Sequence, residues 1–207
     1  MRVNFDRWAD LLTRLAGKTI PPLTPILTAY GESHRHYHNL QHLEECLSLC
    51  DRFAVKSAEI EAALWFHDVI YHPRESDNEI KSANYACQIL ERAGVEKNKQ
   101  EAIADCILAT RHDVIPENLL AATVVSIDLA ILGSNSERYR EYARAIRLEY
   151  HWLSDRQFRE GRDRVLRSLL QRPKIFPIEP LFSQLEEMAR INIRNEMNDL
   201  MQTRSLV

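Results

Sequence analysis

Six of the eight histidines, His34 to His72, fall within 39 residues. His38 and His42 are four apart, a spacing that on a helix projects both imidazoles from one face. Leu43, Cys46 and Cys50 place His42 beside an apolar stripe that would aim it into a core. His67 and Asp68 are adjacent in the otherwise apolar run Ala62–Tyr71, and Asp128 is the lone carboxylate of Ala121–Leu132. A buried, unpaired carboxylate costs several kcal/mol or neutralises by taking up a proton. One divalent cation shared by His42, His67, Asp68 and Asp128 would satisfy all four groups. Two imidazoles and two carboxylates suit Mn, Fe, Co, Ni or Zn better than Ca, as one ion or two, with positions left open for water. The alternative at each position is a hydrogen-bonded core histidine, or an aspartate that caps a helix or pairs with an arginine.

Helices must position these groups. Phe5, Trp8, Leu12 and Leu15 recur at helical spacing until Pro21, Pro22 and Pro25, and a second stripe runs from His38 to Phe53. Ser57 opens a third helix expected to run to His72-Pro73, and Ser76 with Glu79 has capping-box spacing before a helix ending at Gly94. Two shorter helices follow near 99–110 and 119–132, separated by a turn at Pro116. Ser136 opens one bearing Tyr139, Tyr142, Ala143, Ile146 and Tyr150, and Ser154 with Gln157 forms a second capping box ahead of Phe158, Val165, Leu166 and Leu169. The last helix spans about Glu179 to Met201, with Leu181, Leu185 and Met188 inward. Nothing alternates with period two and no linker interrupts the chain. The expectation is one all-α domain, a helical bundle of eight or nine helices, with a metal-site core over 34–132 and C-terminal helices over 136–202 packed on it.

The 207 residues, 45% hydrophobic and 28% charged, can bury a sizeable core without staples. Five glycines argue against an all-β sandwich and against glycine-rich phosphate loops. A net charge of -3 offers no capture of nucleic-acid polymers or anionic membranes. No apolar run approaches a membrane span, and the opening residues lack the stretch of a signal peptide, so a cytoplasmic protein is expected. Cys46, Cys50, Cys87 and Cys106 form no C-x-x-C pair and read as reduced core residues, with a zinc or redox role as the alternative.

The order His42, His67-Asp68, Asp128, each on its own helix, resembles the HD-domain superfamily of metal-dependent phosphohydrolases. Tyr37-His38-Asn39-Leu40-Gln41-His42 is similar to the matching stretch of cyclic nucleotide phosphodiesterases within it. More closely, Tyr37-His38-Asn39, Phe66-His67-Asp68, Ser76-Asp77-Asn78-Glu79, the Asp128–Gly133 run and the Ile146–Tyr150 run resemble a small group of uncharacterised predicted HD-superfamily hydrolases, over residues 5–175. The resemblance implies an all-helical fold with His42, His67, Asp68 and Asp128 as metal ligands. It also implies His38 as the acid that protonates the leaving oxygen, and a position next to a ligand suits that role. The phosphodiesterases' nucleotide-recognition elements have no match, so cyclic nucleotide specificity is not implied.

On that basis the chain is expected to cleave a phosphoester or phosphoanhydride bond of a small phosphorylated metabolite or nucleotide. Asp68 would orient the attacking water and, with two ions, bridge them. Four further residues are candidates for substrate binding, each with a structural alternative. Tyr37 lines the pocket or packs. Glu79 contacts substrate or completes its capping box. His112 binds phosphate or a second ion, or answers a helix dipole. Arg147, one of ten arginines between Arg138 and Arg172, grips a phosphate or belongs to a solvated, ion-paired face. Two other functions stay open: an HD-type di-iron oxygenase and a non-catalytic metal- or ligand-binding module. So does homo-oligomerisation.

Overall fold

The computed structural model describes residues 2–53 and 55–202. Among them the chain forms ten α-helices and one 3-10 helix, with no strand, the all-α class expected and slightly more helices than the eight or nine counted from the sequence. They divide into two compact units, Met1–Asp128 and Leu129–Val207. The first holds α1 (Phe5–Arg14), α2 (Thr24–Tyr30), α3 (Leu40–Arg52), α4 (Ala58–Phe66), α5 (Asn78–Arg92), α6 (Lys97–Ala109) and α7 (Leu119–Asp128). The second holds η1 (Leu129–Gly133), α8 (Ser136–Glu149), α9 (Asp155–Gln171) and α10 (Leu181–Gln202). All four expected ligands lie in the first unit, of which Asp128 is the final residue.

Helix α4 organises the first unit because every one of its residues except Glu59 is buried, and it packs against α1, α3, α5, α6 and α7. Trp8 from α1 lies 5.6 Å from Trp65 and 5.8 Å from Phe66, ring centre to ring centre. A helix this apolar tolerates its one buried carboxylate, Glu61, because Arg7 and Arg14 of α1 both donate to it. In the second unit α10 packs on η1 and α9, and closes a core of Tyr139, Phe158, Leu166, Phe176 and Ile193.

Several boundaries depart from sequence expectation, for local reasons. Three prolines read as an end to α1, yet Pro25 stands in the first turn of α2, where a missing N–H is no loss. Helix α3 begins at Leu40, because the Asn39 side chain accepts from the Gln41 N–H and caps it there. His38 therefore precedes the helix. Helix α4 ends at Phe66 rather than at His72-Pro73, with His67 as its C-cap. Helix α5 starts behind Asp77, not at a Ser76–Glu79 capping box, whereas the Ser154–Gln157 box forms as expected. Phe5, Val165 and Met188, expected inward, are exposed. No single helix among the described residues is long and apolar enough to cross a membrane.

Candidate metal centre

Each unit of backbone that carries a candidate ligand is held by side chains from elsewhere in the first unit. His42 lies in the first turn of α3 and is buried, with Leu43, Cys46 and Leu47 on the same inward face. His67 closes α4, where its Nδ1 lies 2.9 Å from the Leu64 carbonyl oxygen. A carbonyl only accepts, so Nδ1 carries a proton there and Nε2 is the nitrogen turned into the cluster. Beyond it the chain is pinned by α5: Ser82 Oγ bonds both the N–H and the C=O of Ile70, and Asn78 bonds the N–H and C=O of His72. Asp128 ends the apolar α7 and arrives between the two histidines.

The donor atoms converge. His42 Nε2 is 3.0 Å from His67 Nε2, 3.1 Å from Asp128 Oδ1 and 3.6 Å from Asp68 Oδ2. His67 Nε2 is 3.0 Å from Asp68 Oδ2 and 3.5 Å from Asp128 Oδ1. Two ligands bonded to one ion at about 2.1 Å stand about 3.0 Å apart at an octahedral edge and about 3.4 Å apart at a tetrahedral one. The five separations bracket these values. Asp68 Oδ2 is buried and accepts no hydrogen bond despite its neighbours, so the cluster contains more acceptor capacity than its own protons fill. The donor set therefore fits a metal ion.

His42, Cys46 and His67 also form a group that could hold a metal ion, with donor atoms within 4.8 Å of one another. Cys46 Sγ, however, lies 3.9 Å from His42 Nδ1 and 3.8 Å from Nε2. Near-equal distances put the sulfur against the ring rather than along the Nε2 lone pair. Burial first, then the Asp128 charge, also pushes the Cys46 thiol well above its ordinary pKa, which disfavours the thiolate a metal needs. The carboxylates are better placed.

Electrostatics couple the four groups. Burial disfavours a charged His67, but the Asp68 charge together with contacts to Asp128 outweighs it and holds the imidazolium well above its ordinary range. Burial likewise opposes ionised Asp68, yet the charges of His67, His38 and His42 hold it below the usual carboxylate range. Asp128 is held low against its own burial by contacts with His112, His42 and His67. Protonated histidine thus does, in part, the work of a cation.

The remaining sequence candidates divide. His38 does not share a helix face with His42, as the spacing predicted, but its ring centre still lies 6.0 Å from that of His42 and stacks on Tyr71 at 4.2 Å. Tyr37 packs its buried ring 4.7 Å from His42. His112 joins the cluster, with Nε2 3.0 Å from Asp128 Oδ2, the oxygen turned away from His42 and His67. It holds φ at 60°, a left-handed backbone that costs a non-glycine residue energy and is retained where the surroundings fix it. Glu79 sits half-buried in the first turn of α5, without the capping box that would have explained it. Arg147 belongs to the second unit, where its guanidinium donates to Tyr150 O, Leu153 O and Asp155. Its hydrogen-bonding capacity there serves the end of α8. His34, outside the ligand set, contacts the Tyr71 carbonyl at 2.9 Å.

One positioning residue has no signal in the sequence. Arg35 is 5% exposed, and its guanidinium donates to the carbonyls of His38, Asp68 and Val69 and to Glu32. It is stacked near the rings of Tyr30 and Tyr71 at 5.4 and 5.5 Å. One planar fork thereby fixes the backbone of both His38 and Asp68. In Gly31-Glu32-Ser33-His34-Arg35-His36 it reads as a solvated charge, and only the surrounding aromatics, distant in sequence, reveal otherwise.

Compared with family models, curated proteins and solved structures, the chain matches none.

Proposed function

We propose that the chain is a metal-dependent phosphohydrolase of the HD type, with His42, His67, Asp68 and Asp128 holding a divalent transition-metal ion. The observation that carries this reading is the convergence of four donors from three separate segments at ligand-to-ligand spacing, with a buried Asp68 oxygen left over. The ordered resemblance of these residues to HD phosphohydrolases supports the same reaction class.

When bound, the ion would supply Lewis acidity to a phosphoryl oxygen and lower the pKa of a water. The chain's own residues do the rest. Asp68 Oδ2, with no hydrogen bond of its own, accepts from the attacking water and orients it. His38, held by Arg35 through its carbonyl and by Tyr71 through its ring, gives a proton to the leaving oxygen. His112 fixes Asp128 through Oδ2. The substrate is a small phosphorylated metabolite or nucleotide, cleaved at a phosphoester or phosphoanhydride bond.

Metal analysis of protein purified without a histidine tag tests the site, with His67→Ala and Asp68→Ala as comparisons after both are confirmed folded. About one equivalent or more in the parent, lost in both variants, supports it, and turnover in a phosphoester and pyrophosphate panel with Mn, Fe, Co or Zn supports the reaction. No metal under any loading condition sinks both. A second reading, the di-iron oxygenase, gains from Asp128, whose Oδ1 faces His42 and His67 while Oδ2 faces His112, a disposition suited to bridging two ions. Oxygen consumption by iron-loaded protein without phosphoester turnover would favour it.

A further inference from the structure

We propose that Tyr30 is a positioning residue for the metal centre: its buried hydroxyl holds the end of α4 open, so that His67 and Asp68 present their donor atoms to one ion. This rests on the reading of His42, His67, Asp68 and Asp128 as a metal site.

Neighbouring residues on a regular α-helix point about 100° apart, and each N–H returns to the carbonyl four residues earlier. His67 and Asp68 are neighbours in the chain, yet His67 Nε2 lies 3.0 Å from Asp68 Oδ2, and the two stand 3.0 and 3.6 Å from His42 Nε2. The ladder breaks where they converge. The Val69 N–H turns to the Phe66 carbonyl at 3.0 Å rather than to that of Trp65, and the Leu64 carbonyl accepts from His67 Nδ1 at 2.9 Å. This releases the Trp65 C=O and the Asp68 N–H from helical pairing, and buried backbone groups need partners. Both meet Tyr30. Its hydroxyl donates to Trp65 O and accepts from the Asp68 N–H, each at 3.3 Å.

One phenol oxygen thus bridges the backbone on either side of His67. Tyr30 is the last residue of α2 and fully buried, with the Arg35 guanidinium 5.4 Å from its ring centre. A carbonyl only accepts, so the single phenol proton is committed to Trp65 and a lone pair to Asp68. On the other side of Asp68, its C=O accepts from Arg35. The residue is therefore gripped through N–H and C=O while its Oδ2 accepts no hydrogen bond. The backbone sets where that oxygen stands.

Tyr30→Phe keeps the ring and removes the hydroxyl. In the full chain freed of metal by chelation, amide hydrogen exchange followed by NMR should be about tenfold faster at Asp68 than in the parent, with the rates at Leu90 of α5 and Ile107 of α6 unchanged. Titration with cobalt(II) should show about tenfold weaker binding and a shifted visible spectrum, because the bands follow ligand geometry. Tyr139→Phe takes a buried hydroxyl from Glu196 in the second unit and should leave cobalt affinity and spectrum as in the parent. The proposal alone is overturned by an unchanged rate at Asp68, by exchange that quickens equally at Leu90 and Ile107, or by parental cobalt affinity and spectrum in Tyr30→Phe. A parent that binds no cobalt overturns the metal reading, and the proposal with it.

Discussion

In the second unit, Arg162 sets Nε and Nη2 on the two oxygens of Glu196 at 2.8 and 3.1 Å, gives Nη1 to Tyr142, and shares Glu196 with the Tyr139 hydroxyl. In the first, His42, His67, Asp68 and Asp128 crowd together at similar distances, yet Asp68 Oδ2 has no hydrogen bond and two imidazole nitrogens face each other at 3.0 Å. Both clusters bury charge. In one, each donor meets an acceptor, and the network locks α8, α9 and α10 in register. In the other, a buried carboxylate oxygen is left without a hydrogen bond, the arrangement that the proposed metal ion would complete. On the proposed function, the difference separates charge buried for the fold from charge buried for a ligand.

The sharpest test of that contrast removes one member from each side. Asp68→Ala or His67→Ala should abolish stoichiometric metal and lower phosphohydrolase activity by more than about a hundredfold, beyond what loss of an outer-shell partner costs; retention of metal in both would erase the distinction. Glu196→Ala should instead destabilise the protein by about 3 to 5 kcal/mol, because it strands a buried guanidinium. Chemical denaturation reads that loss, and metal content measured below the transition should not change. Arg35→Lys keeps the charge but not the fork, and should weaken metal binding about 10- to 100-fold with little change in the far-ultraviolet circular dichroism. An affinity equal to the parent's would show that His38 and Asp68 hold their places without it.

Acidity gives the smallest and most graded effect. Metal ligands must be deprotonated, and His67 holds its proton above its ordinary range in the metal-free cluster. Binding near neutral pH should therefore expel that proton. Affinity should fall as pH falls, by about tenfold per unit for one proton, and level off once pH exceeds the raised value. Calorimetry in buffers of different ionisation enthalpy measures the proton count; zero protons at pH 7 would contradict the coupling of His67 to Asp68.

The cluster of His42, His67, Asp68 and Asp128 was legible because polar residues inside apolar runs, at His67-Asp68 and at Asp128, need a reason to be there. The all-helical class was legible from periodicity. Two things were hidden by local chemistry that overrides periodicity: Asn39 starts α3 after His38 rather than before it, and His67 ends α4 so that the His67-Asp68 pair sits at a helix terminus. Helix α2 was hidden behind prolines that are harmless in a first turn. Arg35 was hidden because its partners are carbonyls, which every residue has and no sequence pattern marks.

Asp128 is the last residue of α7 and lies 86 positions beyond His42. On the ribosome the two imidazoles emerge early and the closing carboxylate late, after six of the seven helices of the first unit have been made. A nascent chain can bring His42 beside His67 without being able to complete the cluster. With the proposed ion, metal capture would then become a signal of finished synthesis of that unit: a chain stalled before Asp128 lacks the oxygen that lies within 3.1 Å of His42.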